Sequence, residues 1–438
     1  MKFTKFGKAL LMSALSVAVI FGVSSCIQSY SVGYLYVTGT LTAGTAGQGI
    51  ISGFKIDHNT GKLTTINTLP VSSGGTYPVR AVLVSGSRFL YVLNRGVTKS
   101  GGTNCTATDP CGANITQFAV GGNGVLTVQE TFFTQGLNPF RLLADAGGTY
   151  LYVLDHDAPS SAACSLALGA GVTSCGDVTA FQINSTTGRL QLVINAQVTS
   201  ANGAALPYFP VPANPIDFSL SSGYILTLSG TPGSGDSVFP YTYNQGNGQL
   251  TLNQNSSQPL GIAQATAIVN AGSDVYVLDD EATQVGTGYL SQILPFSVGS
   301  NGALQAQTGG VVPDASSLSN PIYMILESKG KFAYVINQGN NTQGPEAQSG
   351  IAGYVLDPTT RQLTFIAGEP FGSGAGPQCL VEDPSDQYVY SADFNDSSVT
   401  GSVVDPNAGV LTQMRNSTKG VFPLGGPATW CLVDGRTD

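Results

Sequence analysis

A short strand-like segment that ends in a Tyr-Val or similar pair recurs along this chain and constrains the fold more than any other feature. The copies read YLYVTG, FLYVLN, YLYVLD, YILTLS, DVYVLD, FAYVIN and YVYSAD, and their central positions are Tyr36, Tyr91, Tyr152, Leu226, Tyr276, Tyr334 and Tyr390. Each copy is followed by alternating apolar residues, a tight turn and a Leu, as in ISGFKIDHNTGKL (51–63). Alternation around such turns is typical of β-hairpins, so each repeat predicts three successive strands.

A third segment, which usually starts with Pro, precedes six of the seven Tyr-Val strands, as in YPVRAVLV and NPFRLLAD. The first Tyr-Val strand has no such segment before it, and the last copy, GPATWCLVD (426–434), has no Tyr-Val strand after it. The C-terminal strand therefore completes the blade that the N-terminal strand begins, which closes the ring and removes the open sheet edge. The sequence predicts an all-β fold, a seven-bladed β-propeller of four-stranded blades (strands a to d) that spans residues 34–438.

The composition agrees with one large β domain. The chain has 438 residues, of which 42% are apolar or aromatic and only 10% are charged, and it contains 56 glycines. That apolar content is enough for a core, whereas disordered chains are poor in apolar residues and rich in charge. Helical periodicity is absent beyond the N-terminal segment, and we see no second domain.

Residues 1–25 have the pattern of an export signal. Lys2, Lys5 and Lys8 precede an apolar stretch (9–23) that is short for a membrane-spanning helix. The stretch ends in Val-Ser-Ser before Cys26, which resembles the lipobox of bacterial lipoproteins and implies a lipidated cysteine. We therefore expect a cleaved signal (1–25), a lipidated Cys with a short tether (26–33) and attachment to the membrane through lipid only. A plain signal peptide and an uncleaved anchor are the alternatives.

The sorting rule for bacterial lipoproteins favours the outer membrane when the residue after the lipidated cysteine is not Asp, and here it is Ile27. We therefore expect a cell-envelope protein that is periplasmic or surface-exposed. Residues 1–25 contain three lysines and no acid, so their removal takes the formal net charge from −9 to −12. An acidic protein with few, scattered basic residues is a poor partner for nucleic acid. We expect a monomer.

Six cysteines remain after Cys26, an even number that predicts disulfides in an oxidising compartment. Two pairs bracket short loops, Cys105 with Cys111 and Cys164 with Cys175. Cys379 and Cys431 stand in similar contexts, GPQCLV and GPATWCLV. Their pairing is left open, because matching positions in neighbouring strands can be too far apart for a disulfide.

Long connections fall between strands b and c and between strands d and a, and all of them are expected on one face of the propeller. Long loops on a rigid scaffold often carry binding residues. The residues that end the b strands are Gly39, Asn94, Asp155, Ser229, Asp279, Asn337 and Asp393. The sequence predicts that they form a polar ring at the channel mouth, where oxygen ligands suit sugar hydroxyls or a hard cation. The alternative is that Asn and Asp simply start the turn into each loop.

The repeat resembles the lactonase family of seven-bladed propellers, which includes proteins similar to 6-phosphogluconolactonase and carboxymuconate cyclase, and the resemblance covers residues 30–434. It implies a propeller fold and a small sugar lactone or acid as substrate. Active members carry His-x-His in an early strand a, where this chain has 138–141 (Asn-Pro-Phe-Arg). They carry Arg-His and Asn-Glu in a later blade, where this chain has Ile322-Tyr323 and Asn337-Gln338. These differences argue against hydrolysis by the family mechanism.

Two histidines are present, and His156 lies between Asp155 and Asp157 at the end of a b strand. A His beside a carboxylate suits a general base, which makes Asp155 and His156 the candidate catalytic residues, although adjacent residues in a strand point apart. Arg80 and Arg141, both in strand a, are the candidate anion-binding residues. The alternative for both arginines is pairing with neighbouring acids.

No cofactor or metal ligand motif is present, and zinc or haem is not expected with two histidines and oxidised cysteines. Asp279-Asp280-Glu281 lacks the spaced ligand pattern of a calcium loop. The first hypothesis is a module that binds a small sugar-like or lactone ligand, or an envelope protein, through the long-loop face, with Asn94, Asp279, Asn337, Asp393, Arg80 and Arg141 as ligand-binding residues. The alternatives are a divergent lactonase or cyclase and a purely structural envelope protein, so enzymatic activity stays open.

Overall fold

The computed structural model describes residues 30–42, 47–84, 86, 88–96, 113–200, 202–231, 235–252, 257–285, 288–339, 348–414 and 420–435. These residues form seven antiparallel sheets, each with strands a, b, c and d in that spatial order, and most of the remaining chain is turns. This confirms the predicted seven-bladed propeller. Cys26, Cys105 and Cys111 lie outside the described residues.

Blade 1 combines strands from the N-terminal and C-terminal parts of the chain, and blades 2 and 3 follow in chain order. Blade 1 contains β33 (Ala428–Asp434), β1 (Ser31–Thr40), β2 (Gln48–Asp57) and β3 (Leu63–Thr65), with β4 (Val71–Thr76) paired to β2. Blade 2 contains β5 (Pro78–Val84), β6 (Phe89–Asn94), β7 (Asn114–Val120) and β8 (Leu126–Phe132). Blade 3 contains β9 (Leu137–Ala144), β10 (Tyr150–Asp157), β11 (Gly176–Ile183) and β12 (Leu190–Leu192), with β13 (Phe209–Val211) paired to β11.

The other four blades follow in chain order. Blade 4 contains β14 (Pro215–Ser221), β15 (Tyr224–Thr231), β16 (Gly235–Tyr243) and β17 (Leu250–Thr251), with β18 (Gln258–Pro259). Blade 5 contains β19 (Ala265–Ala271), β20 (Asp274–Val285), β21 (Gly288–Val298) and β22 (Leu304–Ala306), with β23 (Val312–Pro313). Blade 6 contains β24 (Pro321–Leu326), β25 (Phe332–Asn337), β26 (Gly350–Leu356) and β27 (Leu363–Phe365). Blade 7 contains β28 (Pro377–Glu382), β29 (Tyr388–Asp393), β30 (Ser398–Val404) and β31 (Leu411–Gln413), with β32 (Val421–Pro423).

The ring closes where the sequence predicts it. The C-terminal strand β33 pairs antiparallel with β1, with Leu432 opposite Tyr36. Each strand a contacts the strands a of the two neighbouring blades, so these strands surround a central channel. A sheet that pairs its first and last strands presents no open edge there, and the two chain ends hold each other in place.

The recurring tyrosine of strand b connects each blade to the next one. The Tyr36 hydroxyl donates to the carbonyl of Gly124 in the c–d turn of blade 2 (2.8 Å), and the hydroxyl of Tyr390 in blade 7 donates to Gly61 of blade 1 (2.6 Å). The same bond joins Tyr91 to Gly188, Tyr152 to Gly248, Tyr276 to Arg361 and Tyr334 to Gly409. The accepting residues have positive φ, which explains why the turn is usually a Gly.

Blade 4 is the exception, because Leu226 replaces the tyrosine and has no hydroxyl. There the Gln258 side chain donates to the equivalent carbonyl, that of Gly302 (3.0 Å). The repeat tyrosine is thus both a core residue and an inter-blade hydrogen-bond donor. The core is divided among the blade interfaces, and most of the largest fully buried side chains are tyrosines.

The connections on the long-loop face are partly ordered by pairing. Five d–a connections add a short fifth strand to the c strand of the blade they leave. The b–c connection of blade 3 contains α1 (Ser161–Leu168), which the Ser160 hydroxyl caps and the Cys164–Cys175 disulfide ties to the start of β11. No helix within the described ranges is long and apolar enough to cross a membrane.

A second disulfide joins Cys379 of β28 to Cys431 of β33, which settles the pairing that the sequence left open. The cysteines are not at equivalent positions. Cys379 lies opposite Ala392, which is two residues after the repeat tyrosine Tyr390. In blade 1 the residue two after the repeat tyrosine is Thr38, and Trp430 lies opposite it. Cys431 therefore lies one position further along its strand, and the Cα atoms are 5.9 Å apart, a distance that a disulfide spans.

Candidate ligand site in the central channel

Each strand a contains a register shift near its start, and in five of the seven blades the residue that follows the shift lines the central channel. The shift lies between Pro78 and Arg80 in blade 2 and between Pro321 and Tyr323 in blade 6, for example. A bulge of this kind re-aims the next side chain. The seven residues at this position are Trp430, Arg80, Arg141, Asp217, Ala267, Tyr323 and Cys379.

Five of these residues line a cavity of about 550 Å³ in the channel, namely Arg80, Arg141, Asp217, Tyr323 and Trp430. Toward the a–b turns the lining becomes apolar, with Val82, Leu143, Val269, Ile325 and Leu326. The cavity therefore has one polar end, near the long-loop face, and one apolar end. A pocket of this size with a few convergent polar groups is typical of small-molecule sites.

Arg141 is paired with an acid. Its Nε donates to Asp217 Oδ1 at 3.0 Å, and both side chains are largely buried. The other carboxylate oxygen of Asp217 accepts from the backbone N–H of Ile268 at 3.1 Å, while Arg141 Nη1 donates to the Phe140 carbonyl at 3.3 Å. Both oxygens of Asp217 are engaged, so Asp217 is a fixed counter-charge, and Arg141 keeps donor capacity because its guanidinium has five N–H groups.

Arg80 is held by an aromatic ring instead. Its guanidinium lies 3.9 Å from the centroid of the Trp430 ring, and its Nη1 donates to the Val79 carbonyl at 3.1 Å. Within the described part of the chain Arg80 makes no salt bridge to a carboxylate. The Trp430 indole N–H donates to the Ala81 carbonyl (3.1 Å), and Tyr323 packs edge-on against Trp430 at 4.9 Å. Trp430 is therefore fixed as a platform for the cation.

The electrostatics of this cluster favour an anion. Burial and, to a smaller extent, the nearby Arg141 lower the pKa of Arg80 to about 9, whereas Asp217 and Tyr323 oppose the change. Arg80 thus stays positively charged at neutral pH but is poorly compensated. Burial raises the pKa of Tyr323, which keeps its hydroxyl protonated as a donor. Two guanidinium groups and one carboxylate leave one net positive charge at the polar end of the cavity, which suits a carboxylate or phosphate.

The predicted polar ring does not lie at the channel mouth. Asn94, Asp155, Ser229, Asp279, Asn337 and Asp393 are all buried, with exposed fractions of 0 or 1%. Each stands in strand b opposite a residue at or near the start of strand a, one strand away from the channel. The expectation of an open ring is corrected on this point, and the ligand-binding role of Asn94, Asp279, Asn337 and Asp393 stays a prediction that their burial does not support.

These side chains instead hold the d–a connections. The Ser73 hydroxyl donates to Asn94 Oδ1 at 2.6 Å, and Asn94 Nδ2 donates back to the Ser73 carbonyl at 3.1 Å. A Cβ on Gly374 would lie 2.5 Å from Asp393 Cγ, so the connection approaches the carboxylate closely and needs a glycine there. In blades 2 and 7, the polar residue at the end of the b strand thus contacts the connection that enters its own blade.

Asp155 and His156 point in different directions, as adjacent strand residues do. Asp155 is fully buried, whereas His156 is exposed and stacks on Phe140 with ring centroids 4.1 Å apart. No hydrogen bond joins the two side chains among the described contacts. Partial burial of the imidazole lowers the pKa of His156, Arg141 and Arg95 add to this, and Asp157 opposes it. The structure does not form a catalytic pair from Asp155 and His156, and their catalytic role stays a prediction.

Sequence reasoning placed Arg80 and Arg141 near the channel but missed Asp217, Tyr323 and Trp430. The signal was present, because all five occupy the same column of the third repeat segment. In the other blades with a proline the residue in this column comes two positions after the proline, but in blade 1 it comes three positions after Pro427, because Ala428 and not Pro427 lies opposite the end of the b strand. Alignment on the proline therefore hides Trp430. No group of three or more His, Cys, Asp or Glu that would hold a metal lies within the described residues.

Comparisons with known proteins agree with this architecture. A 6-phosphogluconolactonase candidate from Bacteroides fragilis superimposes with a TM-score of 0.62 at 15% identity, covering 92% of this chain and 98% of that one. A similar candidate from Bacteroides uniformis gives 0.63 at 14%, covering 92% and 99%. The periplasmic gluconolactonase of Pseudomonas aeruginosa gives 0.61 at 16%, covering 92% and 99%. These likenesses show the fold.

At the level of sequence, no curated protein matches the chain. The profile described as "Lactonase, 7-bladed beta-propeller" matches residues 34–206 and 291–423, which together make up well over half of the chain. With the seven closed blades and the channel cavity, this match places the protein in the lactonase family of seven-bladed β-propellers.

Proposed function

We propose that this protein binds a small anionic, sugar-acid-like ligand in its central channel, with Arg80 and Arg141 as the anion-binding residues. The observation that carries the proposal is the poorly compensated guanidinium of Arg80, which lies against Trp430 at the polar end of a cavity of about 550 Å³. The family resemblance supports a sugar acid or lactone, because the structural neighbours are described as gluconolactonases.

The geometry favours binding over hydrolysis. Lactone hydrolysis needs a base that is free to take a proton from water. Asp217, the carboxylate in the cavity wall, accepts from Arg141 and from the Ile268 N–H, so both of its oxygens are occupied. Tyr323 keeps its proton because burial raises its pKa. The polar end of the cavity therefore offers cations and donors, which hold an anion, more readily than a base.

The proposal also includes the cell context. Two disulfides support an extracytoplasmic protein, since disulfides persist in oxidising compartments. We propose a monomeric lipoprotein of the cell envelope, attached through Cys26, in which the channel ligand or an envelope protein is the partner. Palmitate labelling of the wild type and of Cys26→Ala tests the anchor, and unchanged labelling in the variant contradicts it.

The channel is tested by titrating purified full-length protein with gluconate, 6-phosphogluconate and neutral glucose in a calorimeter. We expect both acids to bind and glucose not to bind. Arg80→Ala should weaken binding of the acids by about tenfold or more, since a hydrogen bond to a charged group contributes roughly 1.5–3 kcal/mol.

Arg189→Ala is the matched control, because Arg189 is an exposed arginine of the c–d turn that pairs with Glu130 outside the channel. Equal affinity in wild type and Arg80→Ala, or equal loss in Arg189→Ala, would refute the assignment of the site.

A divergent lactonase is the second candidate, and the position of His156 favours it. The lowered pKa of His156 keeps its exposed imidazole neutral near pH 7, as a base requires. The imidazole stacks on Phe140, which directly precedes Arg141 of the cavity wall. Hydrolysis of glucono-1,5-lactone should be followed by proton release above the uncatalysed rate. Turnover that disappears in His156→Ala but survives in His58→Ala establishes this activity, and absence of turnover in the wild type removes it.

A further inference from the structure

The position at the end of each b strand has a cross-strand neighbour in strand c, and the seven pairs can be compared directly. They are Gly39–Ile50, Asn94–Asn114, Asp155–Asp177, Ser229–Ser237, Asp279–Gln292, Asn337–Gly350 and Asp393–Ser398. Blade 3 alone among these seven pairs two carboxylates. Side chains directly opposite each other across two strands lie in contact, so the two acids of blade 3 face each other.

In blades 2, 5 and 7 a donor contacts the buried polar side chain at this position. Asn94 Nδ2 donates to Asn114 Oδ1 at 2.8 Å in blade 2, and Asn114 Nδ2 donates to the Gly74 carbonyl at 3.0 Å. In blade 5, Gln292 Nε2 donates to Asp279 Oδ2 at 2.8 Å. In blade 7 the single acid, Asp393, accepts from Thr400 at 2.7 Å and from Ser391 at 2.9 Å.

In blade 3 the described hydrogen bonds to the two acids come from one hydroxyl, that of Thr179. Asp155 and Asp177 are both fully buried, at 0% exposure. The Thr179 hydroxyl lies 3.3 Å from Asp155 Oδ2 and 3.4 Å from Asp177 Oδ1, so one hydrogen is shared between two carboxylates at long distance. Asp155 Oδ1 and Asp177 Oδ2 have no hydrogen-bond partner within the described structure. Buried carboxylates without partners are costly, so a proton or a cation must neutralise part of the charge of this pair.

The surroundings supply oxygen ligands and a negative potential. Thr179 Oγ1 accepts from the Gln135 N–H at 2.9 Å, which fixes its position beside both acids. Thr134 lies close enough to Asp155 to lower the pKa of that carboxyl, although burial raises it overall. Burial and the neighbouring Asp155 likewise raise the pKa of Asp177. Exposed Asp157, which accepts from Asn138 at 2.9 Å, adds negative charge on the solvent side.

We propose that the Asp155–Asp177 pair of blade 3 is a binding site for one divalent cation of the Ca²⁺ class, distinct from the channel and independent of the proposed function. Two carboxylates neutralise a divalent charge, and Ca²⁺ accepts carboxylate, hydroxyl, carbonyl and water oxygens. Gly136 lies against both acids, since a Cβ at this position would come within 2.1 Å of Asp177 Oδ2 and 2.5 Å of Asp155 Cβ. The ion therefore links β10 and β11 to the connection 133–136. The cation therefore stabilises the root of the disulfide-tied b–c connection.

The test uses purified full-length protein that has been stripped with EGTA and dialysed against metal-free buffer at pH 7.5. Titration with CaCl2 in a calorimeter should show one tight Ca²⁺ per chain. The melting temperature should rise by about 3 °C at a hundredfold excess of Ca²⁺ over its Kd, given the unfolding entropy of a chain of this length. NaCl of equal ionic strength should have no such effect.

Asp177→Asn supplies the amide donor that blade 2 has at Asn114, and Asp155→Asn/Asp177→Asn copies the Asn94–Asn114 pair completely. Both variants should lose at least a hundredfold in Ca²⁺ affinity and should melt at a temperature that Ca²⁺ does not change. Asp393→Asn is the matched control, because it removes a buried carboxylate from the same position of blade 7, and it should keep the wild-type response.

Three results would overturn the proposal. The first is wild type without Ca²⁺ binding, which needs no variant to fold. The second is an unchanged Ca²⁺ response in a folded Asp177→Asn. The third is stabilisation of the wild type by acid alone, without any effect of Ca²⁺ at pH 7.5, which would show that the two carboxylates share a proton instead.

Discussion

The Cys379–Cys431 disulfide joins β28 to β33, the two strands at which the ring closes. Its removal should destabilise the protein more than removal of the Cys164–Cys175 disulfide, which spans a short loop. The perturbation is the double variant Cys379→Ala/Cys431→Ala, compared with Cys164→Ala/Cys175→Ala. All four cysteines are buried, with exposed fractions of 0 to 4%, so the loss of packing is similar in both variants. The difference between the variants then reports on the length of chain that each disulfide constrains in the unfolded state.

The sequence separations are 52 for Cys379–Cys431 and 11 for Cys164–Cys175. Chain-entropy arguments for loops of these lengths give about 4 kcal/mol and about 3 kcal/mol, respectively, at 25 °C. The expected difference in the free energy of unfolding is therefore about 1.4 kcal/mol, or roughly tenfold in the equilibrium constant. Removal of the ring-closing disulfide should also loosen the pairing of β33 with β1, because Cys431 lies within β33, opposite Val37 of β1.

Equilibrium unfolding in urea, followed by circular dichroism on the oxidised proteins, measures both values. Hydrogen exchange of the β33 amides checks whether the closing strand is the part that loosens. A loss that is larger for the local disulfide, or equal protection of β33 in wild type and in Cys379→Ala/Cys431→Ala, would refute the reasoning.

Three further predictions follow from named contacts. Burial raises the pKa of Asp393 to about 7, so folding favours the protonated carboxyl, and this contribution to stability is present below about pH 4 and is lost as the pH rises toward 7. The unfolding free energy of the wild type should therefore fall over this range, and in Asp393→Asn the fall should be less steep by up to about 1.4 kcal/mol per pH unit. Parallel curves for the two proteins would contradict this. Tyr334→Phe removes the buried hydroxyl that donates to the Gly409 carbonyl (2.8 Å) and should cost about 1–3 kcal/mol in urea unfolding, whereas Tyr30→Phe, at a residue with 51% exposure, should cost nothing measurable. Trp430 is the single tryptophan and stacks on Arg80, so a sugar acid in the channel should change its fluorescence saturably, and a ligand that binds in the calorimeter without changing the fluorescence would show that it binds elsewhere.

Much of the fold followed from the sequence because the repeat is local. The Tyr-Val strands, the c–d hairpins and the Pro-initiated strands are each defined within about a dozen residues, and their order fixes which strands pair. The two unmatched segments at the chain ends predicted the pairing of β33 with β1, which the structure confirms. The sequence also indicated the local disulfide between Cys164 and Cys175, because short loops bring their ends together.

The candidate site depended on features that no local pattern contains. The polar residues at the b-strand ends looked like a channel ring, but the bulge in strand a gives the channel to the column of Arg80, Asp217 and Trp430 and leaves the ring buried behind it. In blade 1, Ala428 and not Pro427 lies opposite the end of the b strand, which places Cys431 one position past its apparent match with Cys379 and brings the two cysteines within disulfide distance.

By itself, then, the sequence determined the number of blades, their strand order and the closure of the ring, because hydrophobic alternation and turn chemistry act over short distances. Only the tertiary structure decided which side chains share the channel and which share a buried interface. Those groupings depend on one-residue shifts in register and on the approach of a neighbouring connection, as Gly136 shows against Asp155 and Asp177. Such contacts join residues that are far apart in the sequence, either within one blade or between blades, and their free energies appear only when the strands have packed together.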